Sequence, residues 1–312
     1  MKWVKQGMIF STDQFNLIYA KSPQAIIFDN FIRVYFSTCR KDGDKLVSYV
    51  SFVDYDKRFT SIINVSKHPV LEDGMLGCYD EHGIFPFSPL RHESKLLGYI
   101  SGWTRRVSVS CDSGIGLAES HDNGDSFIRY GNGPVLSSSL NEPFLVIDGV
   151  VRVFSGVFHM WYIFGTGWHE SPATEPERTY RIAHATSKDG INWDKEGKLI
   201  IEAKSKFECQ ALPSVIKIGE IYYMYFCYRD TFDFRFNKNN SYRIGYAYSY
   251  DLVSWSRSEN LSGLELSNNG WDSEMMCYPH LMQVDENIYL LYNGNLFGRY
   301  GFGLAKLINN NQ

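Results

Sequence analysis

From Pro23 onward, apolar and aromatic positions alternate with polar ones in short runs, and the runs come in pairs. Pro23-Gln24-Ala25-Ile26-Ile27-Phe28 leads to Ile32-Arg33-Val34-Tyr35-Phe36-Ser37, and Pro213-Ser214-Val215-Ile216-Lys217-Ile218 leads to Ile221-Tyr222-Tyr223-Met224-Tyr225-Phe226. Alternating β-branched and aromatic residues on either side of turns such as Asp29-Asn30 and Gly219-Glu220 are what half-buried antiparallel hairpins require. The phrase recurs as Pro86 before Leu97-Gly98-Tyr99-Ile100, as Pro279 before Tyr289-Leu290-Leu291-Tyr292, and with Gly149 in the proline's place before Met160-Trp161-Tyr162.

Each hairpin is followed by a second phrase: Gly116-Leu117-Ala118-Glu119-Ser120 with Asp122, Ile182-Ala183-His184-Ala185-Thr186-Ser187 with Asp189, and Ile244-Gly245-Tyr246-Ala247-Tyr248-Ser249 with Asp251. Its turn leads to an aromatic strand at Phe127, Trp193 or Trp255, so every repeat supplies four strands. Internal repeats of this kind are the signature of propeller blades. Because the chain ends on half a phrase, Phe302-Gly303-Leu304-Ala305, its last blade needs the sequence from Trp3 to Phe10 to complete it. No long amphipathic helix and no linker interrupts the pattern. The expectation is an all-β protein, one five-bladed β-propeller domain of four-stranded antiparallel blades over residues 1–312.

Composition narrows the function classes. A net charge of −4, with Lys and Arg scattered, gives no basic stripe for nucleic acid. The N-terminus lacks the apolar core of a signal peptide, and no window approaches the roughly 18 apolar residues of a membrane span. A cytoplasmic protein with reduced thiols is expected, since the six cysteines show neither CxxC pairing nor zinc-finger spacing. GxSxG and HExxH are absent, and Gly294-Asn295-Leu296-Phe297-Gly298 is not followed by a helical pattern, which argues against a dinucleotide site.

In a propeller the residues that precede each innermost strand gather around one axis. Glu81, Glu208 and Glu274 lie five positions before the marker prolines, Asp80 and Asp272 stand just upstream of two of them, and Asp148 directly precedes Gly149 with Glu142 earlier in the same loop. Carboxylates converging on one pocket repel each other and raise some of their pKa values, the condition for pairing a general acid with a general base. Asp80, Glu81, Asp148, Glu208 and Glu274 are therefore the candidate catalytic acids; the alternative role for each is to bind loop N–H groups or arginines and hold the blades together. His82, Arg40, Arg229, Asp272 and Asn295 fall in the same loops and suit substrate binding, while Trp103, Trp168 and Tyr278 offer flat faces for a sugar ring. Arg181 and Arg243 occupy matching Tyr-Arg-Ile triplets and are equally suited to an anion clamp or an inter-blade ion pair. No cofactor is required by these residues, although the crowd of carboxylates permits an axial calcium.

The register and the acidic blade mouths, with Asp80-Glu81-His82-Gly83, Met160-Trp161-Tyr162, Ser187-Lys188-Asp189-Gly190-Ile191-Asn192-Trp193 and Trp271-Asp272-Ser273-Glu274, resemble the glycoside hydrolase superfamily of arabinanases, β-xylosidases, invertases and mannoside phosphorylases. They also resemble propeller proteins associated with bacterial surface-polysaccharide synthesis. In the hydrolases of this superfamily a blade-one acid is base or nucleophile, a blade-two acid orients, and a blade-three glutamate donates the proton. The resemblance thus implies Asp80 or Glu81 as the blade-two acid and Asp148 or Glu142 as the blade-three acid. Blade one departs from it, since Tyr19-Ala20-Lys21-Ser22 precedes Pro23 with no carboxylate. Hydrolysis uses two carboxyl groups, whereas phosphorylases of the superfamily replace one with phosphate. The expected function is a carbohydrate-active enzyme that cleaves or transfers a glycosyl unit on a carbohydrate, sugar-phosphate or nucleotide-sugar ligand; the alternative is a propeller that binds such a ligand without chemistry.

Overall fold

In the computed structural model, which describes residues 1–171 and 175–308, twenty strands form five four-stranded antiparallel sheets. Strand β1 (Trp3–Ser11) opens the chain, and blade one follows as β2 (Lys21–Ile27), β3 (Ile32–Asp42), β4 (Lys45–Tyr55) and β5 (Ile62–Val65). Blade two is β6 (Ile84–His92), β7 (Lys95–Arg105), β8 (Cys111–Ser120) and β9 (Ile128–Arg129). Blade three is β10 (Val146–Phe154), β11 (Val157–His169), β12 (Glu177–Ser187) and β13 (Asp194–Lys195). Blade four is β14 (Glu208–Ile218), β15 (Ile221–Asp230), β16 (Arg243–Ser249) and β17 (Ser256–Arg257). Blade five is β18 (Cys277–Val284), β19 (Asn287–Asn293), β20 (Gly301–Leu307) and, outermost, β1, which runs antiparallel to β20 from Trp3 opposite Leu307 to Ser11 opposite Gly301. The chain terminus thus closes the ring as the repeat requires. Among the described residues, no helix is long and apolar enough to cross a membrane.

The marker prolines turn out to lie inside the innermost strands. Each of these strands breaks register with its neighbour once, between Lys21 and Gln24, Ile84 and Phe87, Ile147 and Val150, Ala211 and Ser214, and Cys277 and His280. Proline is tolerated there because a bulge has no ladder bond for it to remove. Ser22, Asp148, Leu212 and Tyr278, which precede the proline or its glycine equivalent, take φ of 48°, 62°, 42° and 55°, and Phe85 instead joins Pro86 by a cis peptide bond.

The amides freed at the bulges are capped from the preceding blade. Asn293 Oδ1 accepts from Ser22 N (2.8 Å), Ser101 Oγ from Gly149 N (3.2 Å), Asp148 Oδ2 from Leu212 N (3.0 Å) and Cys227 Sγ from Tyr278 N (3.4 Å). Between blades one and two the link is a parallel bridge, Ser48 to Gly83. Apolar faces fill the space between blades; Tyr35, Phe52, Phe87 and Phe127, for instance, join blades one and two. An inner edge without a partner strand is a liability, and the caps remove it.

Four blades carry one further lock. The outermost strand presents a cation opposite an alanine of the third strand: Arg129 opposite Ala118, Lys195 opposite Ala185, Arg257 opposite Ala247 and Lys5 opposite Ala305. The small alanine leaves room for the long side chain to reach the acid of the entering loop or first strand: Arg129 to Asp80 (2.6 Å), Lys195 to Glu142, Arg257 to Glu208 (2.7 Å) and Lys5 to Asp272 (2.7 Å). All four acids are buried. Blade one has neither partner; Val65 stands opposite Val53.

The Glu208 lock is the most completely bonded, its oxygens also accepting from Gln210 Nε2 (2.9 Å) and Lys204 N (3.2 Å). Removing one member of a buried pair strands the other charge, at a cost of about 3–5 kcal/mol. Arg257→Leu alone is therefore expected to lower the urea-unfolding free energy by about 3 kcal/mol, and the Glu208→Gln, Arg257→Leu pair to restore most of it, as the apolar arrangement of blade one suggests. Additive losses in the double-mutant cycle would show that the two side chains do not act as one lock.

Candidate functional site

A cavity of about 430 Å³ opens on the axis, and all five blades line it. Blade one contributes Lys21, blade two Phe85 and Trp103, blade three Asp148, Arg178 and Tyr180, blade four Arg235 and Tyr242, and blade five Tyr278. The bulges explain the choice: Phe85, Asp148 and Tyr278 occupy the bulge position of their strands, and Lys21 is the residue before it.

Asp148 is the only acidic residue among the described lining residues. It is 5% exposed, and burial pushes its carboxyl up to about 7, against the opposing pull of the Leu212 amide and the Arg178 charge. Oδ2 is engaged by Leu212 N, and Oδ1 has no hydrogen-bond partner among the described residues. Two cations face the same space without a carboxylate at ion-pair distance among the described residues. Lys21 lies 3.9 Å from the Tyr19 ring centroid and 5.7 Å from that of Phe85; burial pushes its amine below the usual range, partly offset by the thiols of Cys39 and Cys277. Arg178 donates to Ser110 Oγ (3.1 Å) and lies 5.6 Å from the Trp168 ring. Arg235, the third cation, is paired with Glu177.

Beneath the pocket, the Arg229 guanidinium lies 3.5 Å from the Phe234 ring and donates Nε–H to Tyr180 Oη (3.1 Å), which shares a 2.6 Å hydrogen bond with Tyr242 Oη. Arg229 is buried and orients two pocket tyrosines rather than facing a ligand itself.

The other candidates are dispersed. Asp80, Glu208 and Asp272, like Glu142, are held in the blade locks, and Asp272 also accepts from Tyr292 Oη (3.0 Å). Glu81 and His82 pair with each other (Oε1 to Nδ1, 3.2 Å) behind Trp103, whose indole lines the cavity and donates to Ser48 Oγ (3.1 Å). Arg40 is paired with Glu72 (2.9 Å) and Asp73 on the exposed end of β3. Glu274 and Asn295 line a neighbouring groove, and Trp168 reaches the axis only through Arg178. Arg181 donates to the carbonyls of Ser205 and Lys206, and Arg243 to that of Glu274. The expected crowd of axial carboxylates is thus replaced by one acid among cations. Among the described residues no three His, Cys, Asp or Glu side chains converge as a metal site.

No family model matches the chain. Over 315 aligned residues, however, it is 30% identical to the Mycobacterium tuberculosis uncharacterized proteins MT1551 (strain CDC 1551 / Oshkosh) and Rv1502 (strain H37Rv), covering 99% of this chain and 100% of each relative. The chain belongs to their family.

A third relative, the 1,2-β-oligomannan phosphorylase of Thermoanaerobacter sp. (strain X514), is 34% identical over 107 residues, 33% of each protein. Among solved structures, BT0996 in complex with RGII aligns with a TM-score of 0.72 at 16% identity over 98% of this protein and 93% of that one. A thermostable family-43 glycoside hydrolase gives 0.66 at 13% identity (94% and 90%), and a GH130 structure, from a family of mannoside phosphorylases containing glycoside hydrolases, gives 0.67 at 14% (94% and 85%). The family of Rv1502 therefore has the five-bladed fold of the glycoside hydrolase propellers.

Lys21, Arg178, Arg235, Tyr180 and Tyr242 were not among the expected site residues. Lys21 had a signal, since it sits where blade one should carry its acid; Arg178 had none, because the repeated Tyr-Arg-Ile triplet points to Arg181 instead.

Asp148 gives the site a stability signature. Its carboxyl holds its proton to about pH 7 in the native chain, whereas the unfolded chain releases it near 3.8, so native stability declines as pH rises through that window and levels off above it. Asp148→Asn does not titrate. Its unfolding free energy is expected to gain on the wild type by up to about 1.4 kcal/mol per pH unit across the window, read by urea unfolding at pH 5 and pH 8. An unchanged difference between the two pH values would mean that Asp148 ionises like an exposed carboxyl.

Proposed function

We propose that this chain is a carbohydrate-active enzyme that cleaves or transfers a glycosyl unit in the axial pocket, with Asp148 as proton donor and Lys21 and Arg178 holding an anionic group of the substrate or co-substrate. The observation that carries this reading is one protonatable carboxyl facing two cations that have no carboxylate at ion-pair distance among the described residues. A carboxyl titrating near neutrality is suited to general-acid work, and unpaired cations in a partly dry pocket attract carboxylate or phosphate strongly.

A second carboxyl, which ordinary glycoside hydrolysis uses at about 5 Å or roughly 6.5–9.5 Å from the first, does not line the pocket among the described residues. Phosphorolysis fits what is there. Asp148 gives its proton to the glycosidic oxygen as the bond to the anomeric carbon breaks, and an oxygen of phosphate held by Lys21 and Arg178 forms the new bond to that carbon. The partial likeness to an oligomannan phosphorylase supports this direction. The same missing carboxyl also favours a second reading, a propeller that binds an anionic sugar or nucleotide sugar without turnover.

Thermal-shift screening with uronates, hexose phosphates, nucleotide sugars and inorganic phosphate tests the pocket, since a ligand of the native state raises its melting temperature. Lys21→Met is expected to weaken the anionic ligand that emerges by at least about tenfold, and turnover of the matching glycoside, assayed with and without phosphate, to fall on the alkaline side with an apparent pKa near 7. Asp148→Asn is expected to abolish turnover while retaining binding. Binding with no turnover under any condition identifies the second reading; no shift with any anion, or binding indifferent to Lys21, defeats both.

A further inference from the structure

A second cavity, about 440 Å³, lies between the loop joining β15 to β16 and the turn after β19, and Arg235 lines both it and the axial pocket. Its rim is unlike ordinary surface. Phe236 is 82% exposed and Leu296 49% exposed, yet both border a concavity that is also lined by Lys238, Asn239 and Glu274, one cation and one carboxylate beside an amide. The Glu274 carboxylate is exposed and engages no cation or N–H donor among the described residues, while its backbone is held firmly: Asn295 Oδ1 accepts from Glu274 N (2.9 Å) and Met275 N (3.0 Å), and Arg243 donates to Glu274 O (2.9 Å).

The turn beneath is strained. Leu296 and Phe297 are consecutive non-glycine residues with φ of 57°, a conformation that costs free energy and persists only where surrounding contacts impose it. Here Asn295 N–H bonds to Trp271 O (2.7 Å), and the Phe297 ring is set edge-on to Phe234 (6.0 Å) and Tyr242 (6.1 Å), the latter a wall of the axial pocket. One rigid turn therefore shapes both cavities.

We infer that this groove is a second saccharide-binding site, continuous with the axial pocket at Arg235, which takes a neutral hexose unit. An exposed aromatic face beside a carboxylate and an amide suits a sugar ring, whose apolar face stacks while its hydroxyls donate to the carboxylate. Resting on the axial reading above, in the form in which the anionic group belongs to the substrate, this makes the substrate at least a disaccharide, its anionic unit on the axis and its neutral unit in the groove.

Calorimetry on the full chain tests this with matched probes: glucuronate, galacturonate and hexose 6-phosphates, against disaccharides in which the same anionic unit is joined to glucose, mannose or galactose. At least one disaccharide is expected to bind about tenfold or more tightly than its anionic monosaccharide, and the ratio to return towards one in Phe236→Ala and in Glu274→Gln, both surface changes that leave the core intact. A wild-type ratio near one for every pair, or a ratio that survives both variants, overturns the groove and leaves the axial reading standing. Failure of every anionic monosaccharide and disaccharide to bind overturns the groove, and failure of inorganic phosphate to bind as well overturns the axial reading with it.

Discussion

The inner edge of each blade is the constraint on which the rest of the molecule depends. The innermost strand of each of the five sheets has one edge without a strand partner, and the amides on that edge still need acceptors. The chain meets this by bulging each innermost strand once and, where a bulge amide faces the preceding blade, taking the cap from there: Asn293 for Ser22, Ser101 for Gly149, Asp148 for Leu212 and Cys227 for Tyr278. Blade order, axial side chains and ring closure are thereby coupled. The same bulges turn Phe85, Asp148 and Tyr278 towards the cavity, so the device that satisfies the backbone also sets what a ligand meets.

Charge on the axis follows from a second constraint farther out. Four blades lock their entering segment to their outermost strand with an acid and a base, which withdraws Asp80, Glu142, Glu208 and Asp272 from the pocket. Blade one has Val65 in place of the base and no acid to receive it, and its entering segment instead offers Lys21 to the axis. The absence of a blade-one acid is at the same time the absence of a lock. Lys21 as a result has no carboxylate at ion-pair distance among the described residues.

Much of this was legible in the sequence and some of it was not, for definable reasons. Five marker phrases predicted five blades because strand alternation is a local property, and the terminal half phrase predicted closure by Trp3 to Phe10. The acids were harder. They were placed by a fixed offset from the proline, but the entering segments differ in length, so Asp80 rather than Glu81 and Asp272 rather than Glu274 became the lock residues. A better signal lay in the outer strands, where an aromatic residue precedes a base by two positions in Phe127 and Arg129, Trp193 and Lys195, Trp255 and Arg257, and Trp3 and Lys5. Each such base withdraws one acid of its own blade into a lock, Asp80, Glu142, Glu208 or Asp272. Arg178 and Tyr242 could not be assigned this way, because their position on the axis depends on how whole blades lean together.

Asp148 raises the question whether its carboxyl serves the fold alone. Its Oδ2 caps Leu212, and a cap is needed there. A charge is not, since the equivalent amides elsewhere are satisfied by the amide of Asn293, the hydroxyl of Ser101 and the thiol of Cys227, all neutral groups that carry no desolvation penalty of this size. Asparagine could make the same bond at this position and leave no titrating group in a dry pocket. The chain instead keeps a carboxyl whose proton affinity burial has raised to near neutrality, with its second oxygen unbonded among the described residues and Arg178 close enough to oppose the shift. A group that weakens the native state at neutral pH, where a neutral residue would serve the architecture equally well, is most economically explained by what its free oxygen does in the pocket.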